Sequence, residues 1–174
     1  LTAAAWLEAE GAQHDLVSWA ASFGDDWAGL WEACPRGDWL LAMAVRRGVP
    51  EGARVRAAVR CARLALDVLP DGETRAADGL ATVEGGADAR SAAIAALEEA
   101  GEAAPDPAVQ AAFMAVEAAL RSVDDPDSAV VAAASAIQAT VLDTGECAMM
   151  TALTYAQRTS ADRVREVIPA SLIA

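Results

Sequence analysis

The sequence contains no lysine and no asparagine, a single histidine and a single tyrosine, so all thirteen of its basic residues are arginine. Without lysine there is no P-loop amine and no Schiff-base nucleophile, and without asparagine there is no acceptor for N-linked sugar. Both gaps reflect avoidance of AT-rich codons and point to a GC-rich bacterial genome. His14 alone cannot complete the common zinc or di-iron ligand sets, so it reads as a surface histidine near a helix start and no metal is expected. Cys34, Cys61 and Cys147 are odd in number, far apart and form no CxxC pair. They read as buried thiols of a reducing cytosol. Charges interrupt every apolar stretch before the ~20 residues that span a bilayer, and no charged-then-apolar signal opens the chain. A cytoplasmic location is therefore the expectation.

What is present is alanine, which supplies about a quarter of the 174 residues, whereas aromatics supply only 5%. Alanine is the best helix former and a poor core filler. The composition predicts one domain of many helices packed through small faces, with sparse Trp, Leu, Val and Ile filling the gaps. The net charge of −13 opposes nucleic-acid phosphates and anionic membrane surfaces, so neither is an expected partner. Acidity is uneven. Residues 1–35 hold six carboxylates and no Arg, whereas 36–63 hold seven Arg against Asp38 and Glu51.

Periodicity and caps predict an all-α fold: an irregular array of short N-terminal helices followed by longer antiparallel ones. Thr2 or its neighbour caps a helix through Glu10, a second spans 15–23, and Asp25 or Asp26 caps a third carrying Trp27, Leu30 and Trp31. Asp38 reads as the cap of a helix to Arg47. The clearest amphipathic helix runs from Glu51 to Leu69, with Val55, Val59, Ala62, Leu66 and Leu69 in steps of four and three. Residues 73–84 are weakly helical, Gly85-Gly86 reads as a hinge between two halves, and 88–100 is helical. Asp106-Pro107 and Asp125-Pro126 each read as an acidic cap with proline in the first turn, opening helices to about Ser122 and Asp143. Gly145 precedes a final pair, to about Arg158 and from Ser160 to Ile168.

No GxSxG elbow, GxGxxG turn or HExxH helix occurs, and Glu98-Glu99 and Asp124-Asp125 are adjacent pairs whose side chains point apart. No catalytic residue, cofactor or enzymatic activity is expected. Two features suggest binding. Three tryptophans fall within 27–39, forming either a packed node or an exposed hot spot; Trp39 is expected to anchor the core against Val55 and Val59. Arg56, Arg60 and Arg63 form an i, i+4, i+7 stripe that either lines a groove for an acidic group or pairs with neighbouring acidic helices.

The segment Cys34-Pro35-Arg36-Gly37-Asp38-Trp39-Leu40-Leu41, then Arg56-Ala-Ala-Val-Arg60-Cys61-Ala-Arg63-Leu64, and the ending Val164-Arg165-Glu166-Val167-Ile168-Pro169 resemble a helical family of bacterial immunity proteins from polymorphic toxin systems. The chain departs from that pattern after Gly72-Glu73, where Ala81-Thr82-Val83 and Gly85-Gly86 replace an aromatic-bearing helix. The resemblance implies a non-catalytic antitoxin that binds and blocks a cognate toxin protein, with Cys34, Arg36, Asp38 and Trp39 as a structural motif. Asp25, Asp26 and Glu32, and independently Arg56, Arg60 and Arg63, are the candidate partner-binding residues. A small-molecule-sequestering self-resistance protein and a helical adaptor are the rival readings.

Overall fold

The computed structural model describes residues 1–144 and 148–173, so Cys147 and the expected start at Gly145 lie outside the described residues. Among the described residues the protein is all-α, with no strand. Among the described residues no helix is long and apolar enough to cross a membrane.

The short N-terminal helices form where small polar caps and glycines put them. Thr2 Oγ1 accepts the Ala5 N–H at 3.3 Å at the head of α1 (Ala3–Ala9), and Gly11 (φ 68°) ends it in the left-handed conformation that glycine adopts without strain. Helix α2 (His14–Ala20) tightens into a 3₁₀ turn, Ala21–Phe23, before Gly24 (φ 60°). Asp26 Oδ1 accepts the Gly29 N–H at 2.8 Å and starts α3 (Trp27–Ala33). Helix α4 (Gly37–Arg46) starts two residues earlier than an Asp38 cap predicts. The Asp38 carboxylate does not cap it but pairs with Arg36, while the Gly37 N–H donates to Ser160 Oγ at 3.1 Å from the far end of the chain.

Helix α5 (Glu51–Ala62) is shorter than the apolar stripe predicts, because residues Arg63–Val68 wind into a 3₁₀ segment ahead of Pro70. A tightened last turn satisfies end carbonyls that proline cannot serve by continuing the helix. Then follow α6 (Arg75–Ala81), α7 (Ala87–Ala103) and α8 (Pro107–Arg121), the last capped as expected by Asp106, which accepts the Ala108 N–H at 2.8 Å. The second Asp-Pro site behaves differently. Asp125 accepts from the Ser128 hydroxyl and the Asp127 N–H, capping a turn, and α9 (Ser128–Asp143) begins two residues late. The expected final pair is one uninterrupted helix, α10 (Met149–Arg165), followed by a 3₁₀ turn, Ala170–Leu172.

Helix α9 lies at the centre, packed against α4, α5, α8 and α10. Its core residues Ala129, Ala132, Ala133, Ala136 and Ala139 are fully buried, and α8 meets it with Ala111, Ala112, Ala115, Ala118 and Ala119. Methyl-only faces let helix axes approach closely, so the alanine content becomes tight packing around a slender central helix. Bulk comes from the surrounding helices, chiefly Trp31, Leu40, Leu41, Met43, Leu97 and Leu120, and one apolar cluster runs from Ala3 to Ile173 across both sides of Gly85-Gly86.

Candidate functional site

Residues 31–39 join four elements. The Arg36 fork donates to both oxygens of the buried Asp38, at 3.1 Å from Nε and 2.6 Å from Nη2, and its guanidinium lies 4.4 Å from the Trp39 ring centroid. Planar stacking and a bidentate pair are what arginine supplies and lysine cannot. Cys34 Sγ donates to the Arg36 carbonyl, Cys61 Sγ of α5 donates to the Ser160 carbonyl, and Arg165 of α10 donates to the carbonyls of Trp31 and Cys34. A Cβ on Gly37 would sit 2.6 Å from Ser160 Oγ. The motif is thus a corner where α3, α4, α5 and α10 meet. No local pattern marks Ser160 or Arg165 as partners of this motif, because they lie more than 120 residues away.

Burial pushes the Cys34 thiol up to about 11 and the Cys61 thiol up to about 12. Both stay protonated at neutral pH, which removes the thiolate that nucleophilic or metal chemistry needs. His14 is exposed in the first turn of α2, 3.4 Å from Ser18.

The tryptophans divide by environment. Trp31 is fully buried, and its indole N–H donates to the Ile168 carbonyl at 3.2 Å. Trp27 stands edge-on to Trp6 at 5.3 Å, and both flank Arg47, whose Nε donates to the Ile173 carbonyl at 2.8 Å. Trp39 is buried, its aromatic neighbour is Trp19 at 5.7 Å, and it lines a cleft with Leu16, Val130 and Val131. Val59 lines a second groove with Leu80 and Ala81 of α6. The Trp39 indole N–H, shut off from solvent, has no acceptor among the described residues, a state that costs about 1–3 kcal/mol.

Arg56, Arg60 and Arg63 come together as expected for one face of a helix and its 3₁₀ extension. With Val59, and with Leu80, Ala81, Val83 and Glu84 from α6 and its following turn, they line a groove of about 340 Å³. Arg60 takes the pairing role, reaching Glu166 Oε2 at 2.5 Å. Arg56, folded back over Gly52, and Arg63 have no hydrogen-bonded or ionic partner among the described residues, and both are exposed. Leu80 and Val83 were readable as an i, i+3 apolar pair, yet only the tertiary packing sets them opposite Val59.

Asp25, Asp26 and Glu32 are all exposed and form a separate patch. They sit on α3 and the turn before it, which packs on the 3₁₀ turns at 21–23 and 170–172, whereas α5 packs on α4, α8, α9 and α10. Asp26 is committed to its cap. No group of three or more His, Cys, Asp or Glu suited to a metal ion occurs among the described residues. Compared with protein families, with curated proteins and with solved structures, the chain matches none.

Proposed function

We propose that the protein is a non-catalytic antitoxin that binds a cognate toxin domain and covers its working surface, using the α5–α6 groove as the centre of contact. The observation that supports this reading is how the arginines are spent. Nine of the thirteen, including Arg36, Arg47, Arg60, Arg121 and Arg165, donate to partners within the chain. Among the described residues Arg54, Arg56, Arg63 and Arg158 do not, and of these Arg56 and Arg63 flank the same groove beside Val59, Leu80 and Val83. Arginine next to an apolar floor is the composition of an interface hot spot, because the guanidinium gains charge-assisted bonds once a partner excludes water. The groove fits a toxin segment that presents a carboxylate next to an apolar side chain. The resemblance to helical immunity proteins points the same way.

The test is co-expression with the toxin encoded by the adjacent gene. Rescue of growth and a co-purifying complex are expected, and Arg56→Glu with Arg63→Glu should weaken the complex by about a hundredfold, roughly tenfold per hot-spot side chain. Far-UV circular dichroism of the double variant should match the parent. Absence of both rescue and complex rejects the antitoxin reading; full rescue by the double variant moves the contact away from the groove.

A further inference from the structure

Half of the large hydrophobic side chains that stand exposed among the described residues lie where α9 ends and α10 begins: Leu142, Met149, Met150 and Tyr155. Met150 is 73% exposed, and Tyr155, the chain's one tyrosine, is 66% exposed. A cluster of this kind marks an interaction surface. Helix α10 buries Ala152, Ala156 and Ser160 on its inner side, packed on α4, α5 and α9. On its outer side Met150, Thr151, Thr154, Tyr155 and Arg158 line an open groove. Their spacing of i, i+1, i+4, i+5 and i+8 is that of one helical stripe. This stripe has few polar groups to desolvate. The Thr154 hydroxyl already donates to the Met150 carbonyl at 3.0 Å, and Arg158 is the one charge along the groove.

The charges around Tyr155 decide what this face fits. Arg158 is exposed and makes no ion pair or hydrogen bond among the described residues. Tyr155 also lines a cleft of about 160 Å³ toward α9 and the 3₁₀ segment, whose lining shares no other residue with the outer groove. That cleft holds two exposed carboxylates, Asp67 and Asp143, neither of them paired among the described residues. An unspent cation and two unspent anions thus flank one aromatic side chain. We propose that a second copy of the chain covers this face, in a twofold contact of α10 against α10 with Met150 and Tyr155 at its apolar centre. The twofold axis brings Arg158 of each copy to Asp143 and Asp67 of the other, the self-complementarity that an isologous interface requires. On a chain of net charge −13 most of the surface repels another copy, whereas this face carries both signs. A basic partner surface, by contrast, meets Arg158 with like charge. The face shares no lining residue with the arginine groove, so the proposal stands apart from the antitoxin reading.

Sedimentation equilibrium of the full chain should show a concentration-dependent monomer–dimer exchange, with a dissociation constant on the order of 10 µM as befits a contact of about one helix face. Arg158→Glu and Asp143→Arg each change an exposed side chain, so their circular dichroism should match the parent. Either variant alone sets like charges across the twofold axis and should weaken the dimer by about tenfold or more. Mixed in equal amounts, the two restore opposite charges at both sites and should form a heterodimer of nearly the parent's affinity, detected through a mass tag on one of them. Met150→Glu should also leave the chain monomeric. A parent that stays monomeric at every concentration, a dimer undiminished in Arg158→Glu, or variants that fail to pair on mixing overturns the proposal. A monomer that loses its toxin in Met150→Glu gives the face to the toxin and overturns it equally.

Discussion

Gly37 stands where a side chain cannot. The Cβ of an alanine would lie 2.6 to 2.8 Å from the Oγ, carbonyl carbon and Cβ of Ser160, and part of that obstruction is backbone of α10. Gly37→Ala should therefore destabilise the protein by about 1–3 kcal/mol, the usual cost of overpacking, measured as a lowered urea midpoint with unchanged slope. The two described cysteines give a second expectation at this scale. Burial raises both thiols above their ordinary value of 9.0, to about 11 for Cys34 and about 12 for Cys61. The unfolded chain then loses these protons at lower pH than the folded one, so their contribution is complete below pH 9 and is lost as pH rises through 11 to 12. Thermal midpoints should fall across that window, and less steeply in Cys61→Ala than in the parent. At pH 8, alkylation followed by peptide mass spectrometry should find Cys34 and Cys61 unmodified in the native protein and modified in urea.

Helix α10 acts as a clasp through one end of its length. Arg165 donates to the carbonyls of Trp31 and Cys34 at the C-terminus of α3, where the Trp31 carbonyl also takes a long 3.4 Å bond from the Cys34 N–H. Arg165→Met keeps the aliphatic stem but removes the charged donor from both carbonyls, and should cost about 3 kcal/mol in chemical denaturation. Arg165→Lys should recover only part, because a single ammonium does not reproduce the planar fork. This helix also shows what local sequence reading can reach. Thr2, Asp26 and Asp106 announce the starts they cap, because each cap is paid within three residues. Ser160 and Asp38 look like the same signal and are not: the Ser160 hydroxyl donates to Gln157 within α10 and accepts from Gly37, and Asp38 belongs to Arg36. A polar side chain committed across the fold is indistinguishable in sequence from one committed next door. The stripe Arg56, Arg60 and Arg63 was legible because it lies on one helical face; the opposite wall of its groove depended on where α6 packs.

At the scale of the whole molecule the net charge is −13, and the exposed carboxylates Asp25, Asp26 and Glu32 lie on a patch separate from the arginine groove. Under the antitoxin reading, this field should act on the approach of a basic toxin face more than on the docked complex. In surface-plasmon kinetics, raising salt should slow association far more than it speeds dissociation, since screening acts on long-range approach. Asp25→Asn with Glu32→Gln, which spares the Asp26 cap, should reduce that salt dependence and leave the melting midpoint nearly unchanged. Equal effects of salt on both rates would show that the field plays no part in steering. A different consequence follows from the Ile168 and Ile173 carbonyls, which accept from Trp31 and Arg47. Together with Ser160 and Arg165, they close the corner that the first forty-seven residues begin. During synthesis the N-terminal helices must therefore wait, with Trp27, Trp31 and the ends of α3 unsheltered, until residues 160–173 have emerged from the ribosome. Until then the chain's apolar N-terminal surface stays exposed, a long-range closure that slows folding and favours aggregation.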